Sequence, residues 1–206
     1  MTFPESPYES VEQYLGDYFE SCAVASRSVS GAAITRAAEV LTAAYQDGRI
    51  VYACGNGGSA AISNHLLCDH AKGIRSDTGL MPRVVSLANN VELMTAIAND
   101  IAYQEVYLHQ LQNLARPQDV LVAISSSGDS ENIVRAVAWA KKNDVRTIVM
   151  TGFSGGRAGD LAEVHLHVSS ENYGVIEDVH QSLMHILAQF IRQAHMTEDQ
   201  IRDRTF

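Results

Sequence analysis

Short apolar runs alternate along this chain with longer segments of helical periodicity. The apolar runs predict five strands, over residues 49–54, 83–87, 119–124, 145–150 and 163–168. Helices are predicted before, between and after them. They cover residues 8–25, 30–47, 59–71, 89–98, 103–114 and 174–194, and a further helix follows the third strand and ends at Lys142. Strands that alternate with helices are joined by right-handed crossovers. The pattern therefore predicts an α/β fold, with a parallel sheet covered by helices on both faces.

The chain is expected to form a single domain. Its 206 residues and 46% hydrophobic content fit one core over about residues 48–206, preceded by a helical extension over about residues 1–47. No apolar run reaches the roughly 18 residues of a membrane helix, and the amino terminus lacks the basic and apolar regions of a signal peptide. The 3 cysteines form no CxxC pair, which argues against a disulfide framework. We therefore expect a cytoplasmic protein with no membrane contact.

The acidic composition limits the classes of ligand. A formal net charge of −9 disfavours general nucleic-acid binding, so no nucleic-acid partner is expected. A phosphate group would be held by neutral hydroxyl and amide donors rather than by a field of lysines.

A glycine-rich turn follows the first predicted strand and opens a predicted helix. The turn is Gly55-Asn-Gly-Gly-Ser-Ala60. The first amides of the helix behind it lack intrahelical partners and carry partial positive charge, which favours an anion. His65 and Asp69 lie four residues apart on the same helix face and could bind a metal or share a proton. This pattern indicates a phosphorylated substrate with chemistry close by.

The same turn matches one form of the dinucleotide-binding fingerprint. That fingerprint needs an acidic residue at the end of the second strand, where this chain has Ala88, Asn89 and Asn90 and no carboxylate until Glu92. No Gly-Lys-Ser/Thr sequence is present, which excludes a nucleoside-triphosphate P-loop. A tight strand–helix turn without a ligand is the alternative explanation of the glycines.

Four serines follow the third predicted strand, in Ser125-Ser-Ser-Gly-Asp-Ser130. They lie where an apolar strand meets the start of a helix, the place where open parallel sheets bind ligands. Hydroxyl and N–H groups there can surround a phosphate without any positive side chain. The alternative is that Ser127 or Ser130 only caps the helix. Because one cap needs one serine, the cluster favours a binding loop.

The last long helix carries the polar residues Glu177, Gln181 and His185 at intervals of four. If this helix packs beside the helix of His65 and Asp69, then two imidazoles and the carboxylates of positions 69 and 177 form a set suited to zinc or a similar divalent ion. Residues eight apart lie roughly 12 Å apart along an ideal helix axis. Glu177 and His185 can therefore share an ion only if the helix starts irregularly or if Glu177 approaches by another route.

Four other histidines are expected to be structural. A histidine on an apolar helix is more often a hydrogen-bonded core residue than a ligand. His180 lies about 140° around the helix from His185, so the two should have different roles. His70, His165 and His167 show no further feature of metal ligands.

Together these motifs resemble the sugar isomerase (SIS) domain and, within it, the phosphoheptose isomerases, which act on sedoheptulose 7-phosphate. The resemblance covers nearly the whole chain. It rests on the glycine-rich turn with His65, on Ala98-Asn-Asp100, on the serine loop and on the spacing of Glu177, His180 and His185. It implies a flavodoxin-like three-layer αβα sandwich around a five-stranded parallel sheet. It also implies a homotetramer with active sites at subunit interfaces.

The resemblance further implies roles for individual residues. Zn²⁺, one per subunit, would be bound by His65, Asp69, Glu177 and His185. Asp69 would be the catalytic base and His185 its acid/base counterpart in an isomerisation through an enediol, with the ion polarising the substrate carbonyl. Predicted substrate contacts are Asn56, Gly57, Gly58, Ser59, Asp69, Asn99, Asp100, Ser125, Ser126, Ser127, Ser130 and Glu177. Without the resemblance, Asn99-Asp100 would be interpreted only as the end of a helix.

Two residues depart from the usual pattern of the family. Asp69 replaces a glutamate, which shortens the side chain by roughly 1.5 Å, and Glu177 replaces a glutamine, which adds a negative charge. A misplacement of that size can lower a rate by about 10²-fold, and the charge should tighten metal binding but weaken the Lewis acidity of the ion. Two alternatives follow: a non-catalytic SIS protein that binds a phosphosugar or a protein partner, and an isomerase of another ketose phosphate.

Overall fold

The computed structural model describes residues 3–206, and a five-stranded parallel sheet lies at its centre. The strands are β1 (Ile50–Gly55), β2 (Arg83–Ser86), β3 (Val120–Ser125), β4 (Arg146–Thr151) and β5 (Val164–His167). They lie in the order β2-β1-β3-β4-β5, and every neighbouring pair is parallel. The predicted fold class is confirmed.

Helices cover both faces of the sheet and complete the three layers. They are α1 (Val11–Arg27), α2 (Gly31–Gln46), α3 (Gly58–Cys68), α4 (Val91–Asp100), α5 (Leu108–Leu114), α6 (Glu131–Lys142), α7 (Gly156–Leu161), α8 (Tyr173–Gln193) and α9 (Glu198–Asp203). Val51 and Ala53 of β1 join a core with α1, α2, α3 and α8, whereas Tyr52 and Cys54 join a second core with α4–α7. Successive side chains of a strand point to opposite faces, so β1 is buried on both.

Several helices begin at the residues that favour helix starts. The side chains of Ser10, Ser30, Asn90 and Asn172 each accept a hydrogen bond from the backbone N–H three residues later. These caps satisfy N–H groups that the helix itself leaves free.

The structure differs from the predicted elements in three places. The helix predicted over 59–71 is α-helical only up to Cys68, and the chain continues as a π-helical turn over Asp69–Ile74, three residues beyond the predicted end. The helix predicted over 103–114 is a 3-10 turn, Tyr103–Glu105, followed by α5. The helices α7 and α9 were not predicted, because six residues are too few to show a helical period.

The predicted amino-terminal extension is only partly separate from the rest of the molecule. Val40 and Leu41 of α2 lie in the core beside the sheet, and the first two residues of the extension lie outside the described part of the chain. The division near residue 47 stays a prediction. Within residues 3–206, no helix combines the length and the apolar character needed to span a bilayer.

Candidate active site

Two loops meet at the carboxyl ends of β1 and β3. Residues 55–58 lead from β1 into α3, and residues 125–130 lead from β3 into α6. β1 lies between β2 and β3, so the chain leaves the sheet in opposite directions at this point. Such a switch point is where open parallel sheets bind ligands. The structure thus brings together the two loops that the sequence marked separately.

A cavity of about 130 Å³ lies between these loops and the start of α8. It is small compared with the roughly 300–1,000 Å³ of pockets that enclose whole ligands, so it suits one polar group of a larger substrate. Its lining is formed by Asn56, Ser59, Ser125, Ser126, Ser127, Ser130, Tyr173 and Glu177. None of these side chains is positively charged. A phosphate here would meet hydroxyl and amide groups, as expected for an acidic chain, and also the carboxylate of Glu177.

Two hydroxyls of the serine loop are available to a ligand. The Oγ of Ser126 is buried and has no hydrogen-bond partner in the described part of the chain. Ser130 occupies the cap position of α6, but its side chain makes no capping bond. Ser125 and Ser127 accept hydrogen bonds from the loop amides of Gly128 and Asp129, each at 3.2 Å. The capping alternative therefore does not account for the cluster.

The glycine-rich turn allows α8 to approach the start of α3. Gly57, at the cap position of α3, has a φ of +54°, which L side chains rarely adopt. A Cβ atom at Gly58 would collide with the carboxylate of Glu177. This carboxylate therefore lies at the positive end of α3, where it is favoured by the helix dipole. Glu177 was predicted as a metal ligand, and the structure places it in the serine pocket.

The side chain of Asn56 is held by other residues of the protein. Its amide exchanges two hydrogen bonds with the amide of Asn132, both 2.9 Å long. The hydroxyls of Tyr103 and Tyr107 donate to its Oδ1 at 3.0 and 3.2 Å, and Tyr107 also donates to the backbone oxygen of Gly55. These partners fix the turn, and sequence reasoning missed them because they come from three other segments.

A second cluster joins the helices α3 and α8. The Nε2 atom of His65 lies 3.2 Å from Oδ1 of Asp69, and the Nε2 atom of His185 lies 3.5 Å from Oδ2. One ligand atom from each of the three residues lies within 4.8 Å of the others. Metal–ligand bonds of roughly 2.0–2.2 Å place tetrahedral ligands about 3.3–3.6 Å apart, so this donor set fits a zinc-like ion. The predicted convergence of the two helices is confirmed.

Gln181 lies between the two histidines. Its Nε2 atom is 3.0 Å from Nδ1 of His65 and 3.0 Å from Nε2 of His185. The sequence pattern placed Gln181 on the stripe of α8 without giving it a role. Rotation of its terminal amide by about 180° would turn the carbonyl oxygen, instead of Nε2, toward the two imidazoles. Gln181 can therefore also supply a metal ligand.

His165, His167 and His180 are hydrogen-bonded structural residues, as expected. His180 is fully buried, its Nε2 pairs with the backbone oxygen of Thr151 at 3.1 Å, and burial lowers its pKa to about 4. His165 lies 2.6 Å from the hydroxyl of Thr151, and His167 lies 2.9 Å from the backbone oxygen of Phe153. They support the loop after β4, whose Gly152 donates to the backbone oxygen of Ser126.

Asn99 and Asp100 lie outside the pocket lining. Both are exposed in the last turn of α4, where the amide of Asn99 donates to Asp100 at 2.7 Å. The 3-10 turn that follows them reaches the site through Tyr103. A contact of these two residues with substrate stays a prediction.

Comparison with known proteins identifies the family of this chain. The sequence model of the SIS domain matches residues 15–152. A probable phosphoheptose isomerase of Thermoplasma volcanium is 33% identical over 86% of this chain and 90% of its own length. A phosphoheptose isomerase of Roseiflexus sp. is 31% identical over 94% of this chain and 99% of its own length.

A solved structure shows the same architecture. Phosphoheptose isomerase GmhA from Neisseria gonorrhoeae superimposes with a TM-score of 0.82 over 89% of this chain and all of its own, at 28% identity. The family model matches most of the chain, the relatives are covered over nearly their whole length, and the fold is shared. The chain therefore belongs to the SIS domain family and, within it, to the phosphoheptose isomerases.

Proposed function

We propose that this protein is a zinc-dependent isomerase that converts sedoheptulose 7-phosphate to D-glycero-D-manno-heptose 7-phosphate. The observation that carries the proposal is the arrangement along α8. Tyr173 and Glu177 line the serine pocket, and His185 follows two turns later in the His/Asp cluster. The proposed phosphate pocket and reaction centre would therefore follow one another along one helix.

The spacing suits a seven-carbon substrate. Eight helical residues, from Glu177 to His185, span roughly 12 Å along the axis. The path from C2 of a heptulose 7-phosphate to its phosphorus contains seven bonds of about 1.5 Å, and such a zigzag chain spans roughly 9 Å in full extension. A substrate held by its phosphate at Ser126 and Ser130 can therefore present its carbonyl end to the cluster.

The cluster supplies the groups that an aldose–ketose isomerisation needs. Asp69 is proposed to remove the proton from the carbon next to the carbonyl, and His185 to return a proton at the neighbouring carbon through an enediol. Zn²⁺, when bound, would polarise the carbonyl and stabilise negative charge on its oxygen. His65, Asp69 and His185 would hold the ion, with Glu177 as the predicted fourth ligand and Gln181 as the residue already in contact with both imidazoles.

The remaining predicted contacts complete the proposal. The backbone of Gly57 and Gly58, with Ser59, would border the sugar, and Ser125 and Ser127 would join the phosphate site. The turn side chain Asn56, and Asn99 with Asp100, would contact the sugar hydroxyls. The product would enter heptose biosynthesis for a cell-surface glycan or a secondary metabolite.

The proposed assembly is a homotetramer with active sites at subunit interfaces. Val11, Leu15 and Phe19 form an apolar stripe on α1, with exposed fractions of 84%, 53% and 63%. Exposed apolar faces of this kind are typical of surfaces that associate. A cytoplasmic location is also proposed, since the three cysteines are free thiols.

The decisive experiment measures metal content and isomerisation together. Purified protein should contain zinc near one equivalent per subunit, lose turnover of sedoheptulose 7-phosphate on chelation and regain it with added Zn²⁺. Protein that turns over the sugar without any metal would remove the ion from the mechanism. Protein that binds metal and phosphate but converts none of a panel of five- to seven-carbon ketose phosphates would favour the binding alternative.

A further inference from the structure

A buried hydrogen bond anchors the π-helical turn that begins at Asp69. His70, the second residue of the turn, is fully buried, and its Nδ1 lies 2.5 Å from the hydroxyl oxygen of Tyr45 on α2. The two rings meet edge to face, with their centroids 5.9 Å apart. The turn is therefore attached to a helix that lies outside the pocket lining and the His/Asp cluster.

This polar pair is costly for a core position. The Nε2 atom of His70 has no hydrogen-bond partner among residues 3–206. A buried polar group without a partner costs roughly 1–3 kcal/mol, whereas two apolar side chains of similar shape would avoid that cost. In some proteins such groups are retained because they select one packed arrangement over its alternatives.

The π-helical turn has an alternative arrangement, because the same residues could continue α3 as a regular α-helix. α3 has α-helical geometry up to Cys68, and the chain then continues through Asp69–Ile74 with the wider hydrogen-bonding pattern of a π-helix. Such turns are rare, and they occur frequently at functional sites. Each residue of an α-helix rotates by roughly 100°, so a change of helix type redirects the side chains at the junction. A contact that holds His70 inward also sets the direction of its neighbour Asp69.

Asp69 is sensitive to its direction because its side chain is short. Its carboxylate oxygens lie 3.2 Å from Nε2 of His65 and 3.5 Å from Nε2 of His185. With a single methylene group, the side chain cannot extend to compensate for a displaced backbone. Metal–oxygen bonds of roughly 2.0–2.2 Å leave little room for such a displacement.

We propose that Tyr45 and His70 are positioning residues, whose hydrogen bond holds the π-helical turn so that the carboxylate of Asp69 faces both histidines. The inference rests on the proposed metal centre. Tyr45 and His70 act through Asp69 and contact neither the ion nor the substrate. Residues that orient a metal ligand change metal affinity by roughly 10–100-fold when they are removed.

The test measures binding of Co²⁺ to the whole protein, because the visible absorption of Co²⁺ reports the geometry of its ligands. The variants are Tyr45→Phe and the apolar double variant Tyr45→Phe/His70→Leu. Tyr52→Phe is the matched control, since Tyr52 is also buried and its hydroxyl has no partner in the described chain. We expect both Tyr45 variants to bind Co²⁺ about 10-fold or more weakly, with a changed spectrum. The metal-free double variant should melt at or above the wild-type temperature.

The outcomes separate this inference from the function on which it rests. Wild-type affinity and spectrum in both variants would overturn the positioning role and leave the metal centre intact. An equal loss of Co²⁺ affinity in Tyr52→Phe would also overturn it, because the loss would then not be specific to the hydroxyl of Tyr45. A wild-type protein that binds no Co²⁺ would overturn the metal centre and the inference together. If the double variant does not fold, Tyr45→Phe alone decides.

Discussion

The serine pocket and the His/Asp cluster are built in different ways. The pocket joins two loops at the ends of neighbouring strands, so its place follows from the strand order. The cluster joins side chains of two helices that are distant in sequence, and His65 and Gln181 are separated by 116 positions. The pocket offers short hydroxyls close to the backbone, whereas the cluster depends on longer side chains. Changes in helix packing should therefore disrupt the cluster and spare the pocket.

The largest expected effect is that of His185→Ala, which should impair the cluster and leave the serine pocket unchanged. His185→Ala should lower turnover of sedoheptulose 7-phosphate by roughly 10²–10⁴-fold, since it removes a proton-transfer group and a metal ligand at once. Binding of inorganic phosphate, measured by calorimetry, should not change. His195→Ala is the control, because His195 lies outside the His/Asp cluster and bonds the backbone oxygen of Ile191. Full turnover in His185→Ala would remove that residue from the mechanism.

The converse change removes the hydroxyls of Ser126 and Ser130. Hydrogen bonds to a charged group contribute roughly 1.5–3 kcal/mol each, so the double variant Ser126→Ala/Ser130→Ala should raise KM and the Kd for phosphate by about 100-fold or more. Zinc content should stay at the wild-type level. Ser182→Ala is a suitable control, since its hydroxyl bonds the backbone of its own helix at 2.9 Å. An unchanged KM would place the phosphate elsewhere.

A smaller effect concerns His180 and the free energy of unfolding at acidic pH. Burial lowers the pKa of His180 to about 4, against roughly 6.5 in an unfolded chain. Between these values the unfolded chain binds a proton that the folded chain does not, so stability falls as the pH drops through this window. The expected slope is about 1.4 kcal/mol per pH unit, or roughly 2 kcal/mol between pH 6.5 and pH 5.

Urea unfolding of the metal-free protein at pH 7 and pH 5 measures this loss. His180→Gln keeps a donor for the backbone oxygen of Thr151 but does not titrate, so its stability should depend less on pH. Equal pH dependence in the variant and the wild type would show that His180 does not bind its proton as the buried geometry requires.

The smallest expected effect tests Glu177, which lines the serine pocket and is also the predicted fourth metal ligand. Glu177→Gln removes a negative charge from the serine pocket, so phosphate should bind roughly three- to tenfold more tightly. If Glu177 is the fourth metal ligand, zinc should bind about 10-fold more weakly. Unchanged zinc affinity, combined with a loss in Gln181→Ala, would instead assign that position to Gln181.

The parts of the site that were predictable depend on local sequence. Each strand was located to within one residue at either end, because its apolar run is continuous and bounded by polar segments. His65 and Asp69 were paired because helical residues four apart share a face. The serine loop was recognised from its composition and its place after a buried strand.

The parts that were missed depend on tertiary packing. The π-helical turn leaves no periodic signature, and the bond between Tyr45 and His70 joins segments 25 positions apart. The carboxylate of Glu177 lies in the pocket because Gly58 leaves space for it, and that fit becomes visible only when α8 lies against α3. Gln181 was on the predicted stripe, but its neighbours across the helix interface could not be read from α8 alone.

The continuity of α8 has a consequence for how this sequence can vary. Glu177 and His185 belong to one unbroken helix of 21 residues. A single residue inserted between them would rotate His185 by about 100° and lift it by roughly 1.5 Å, while the serine loop would stay where it is. Length changes should therefore be excluded from these eight positions in any functional homologue and tolerated in the loops on either side.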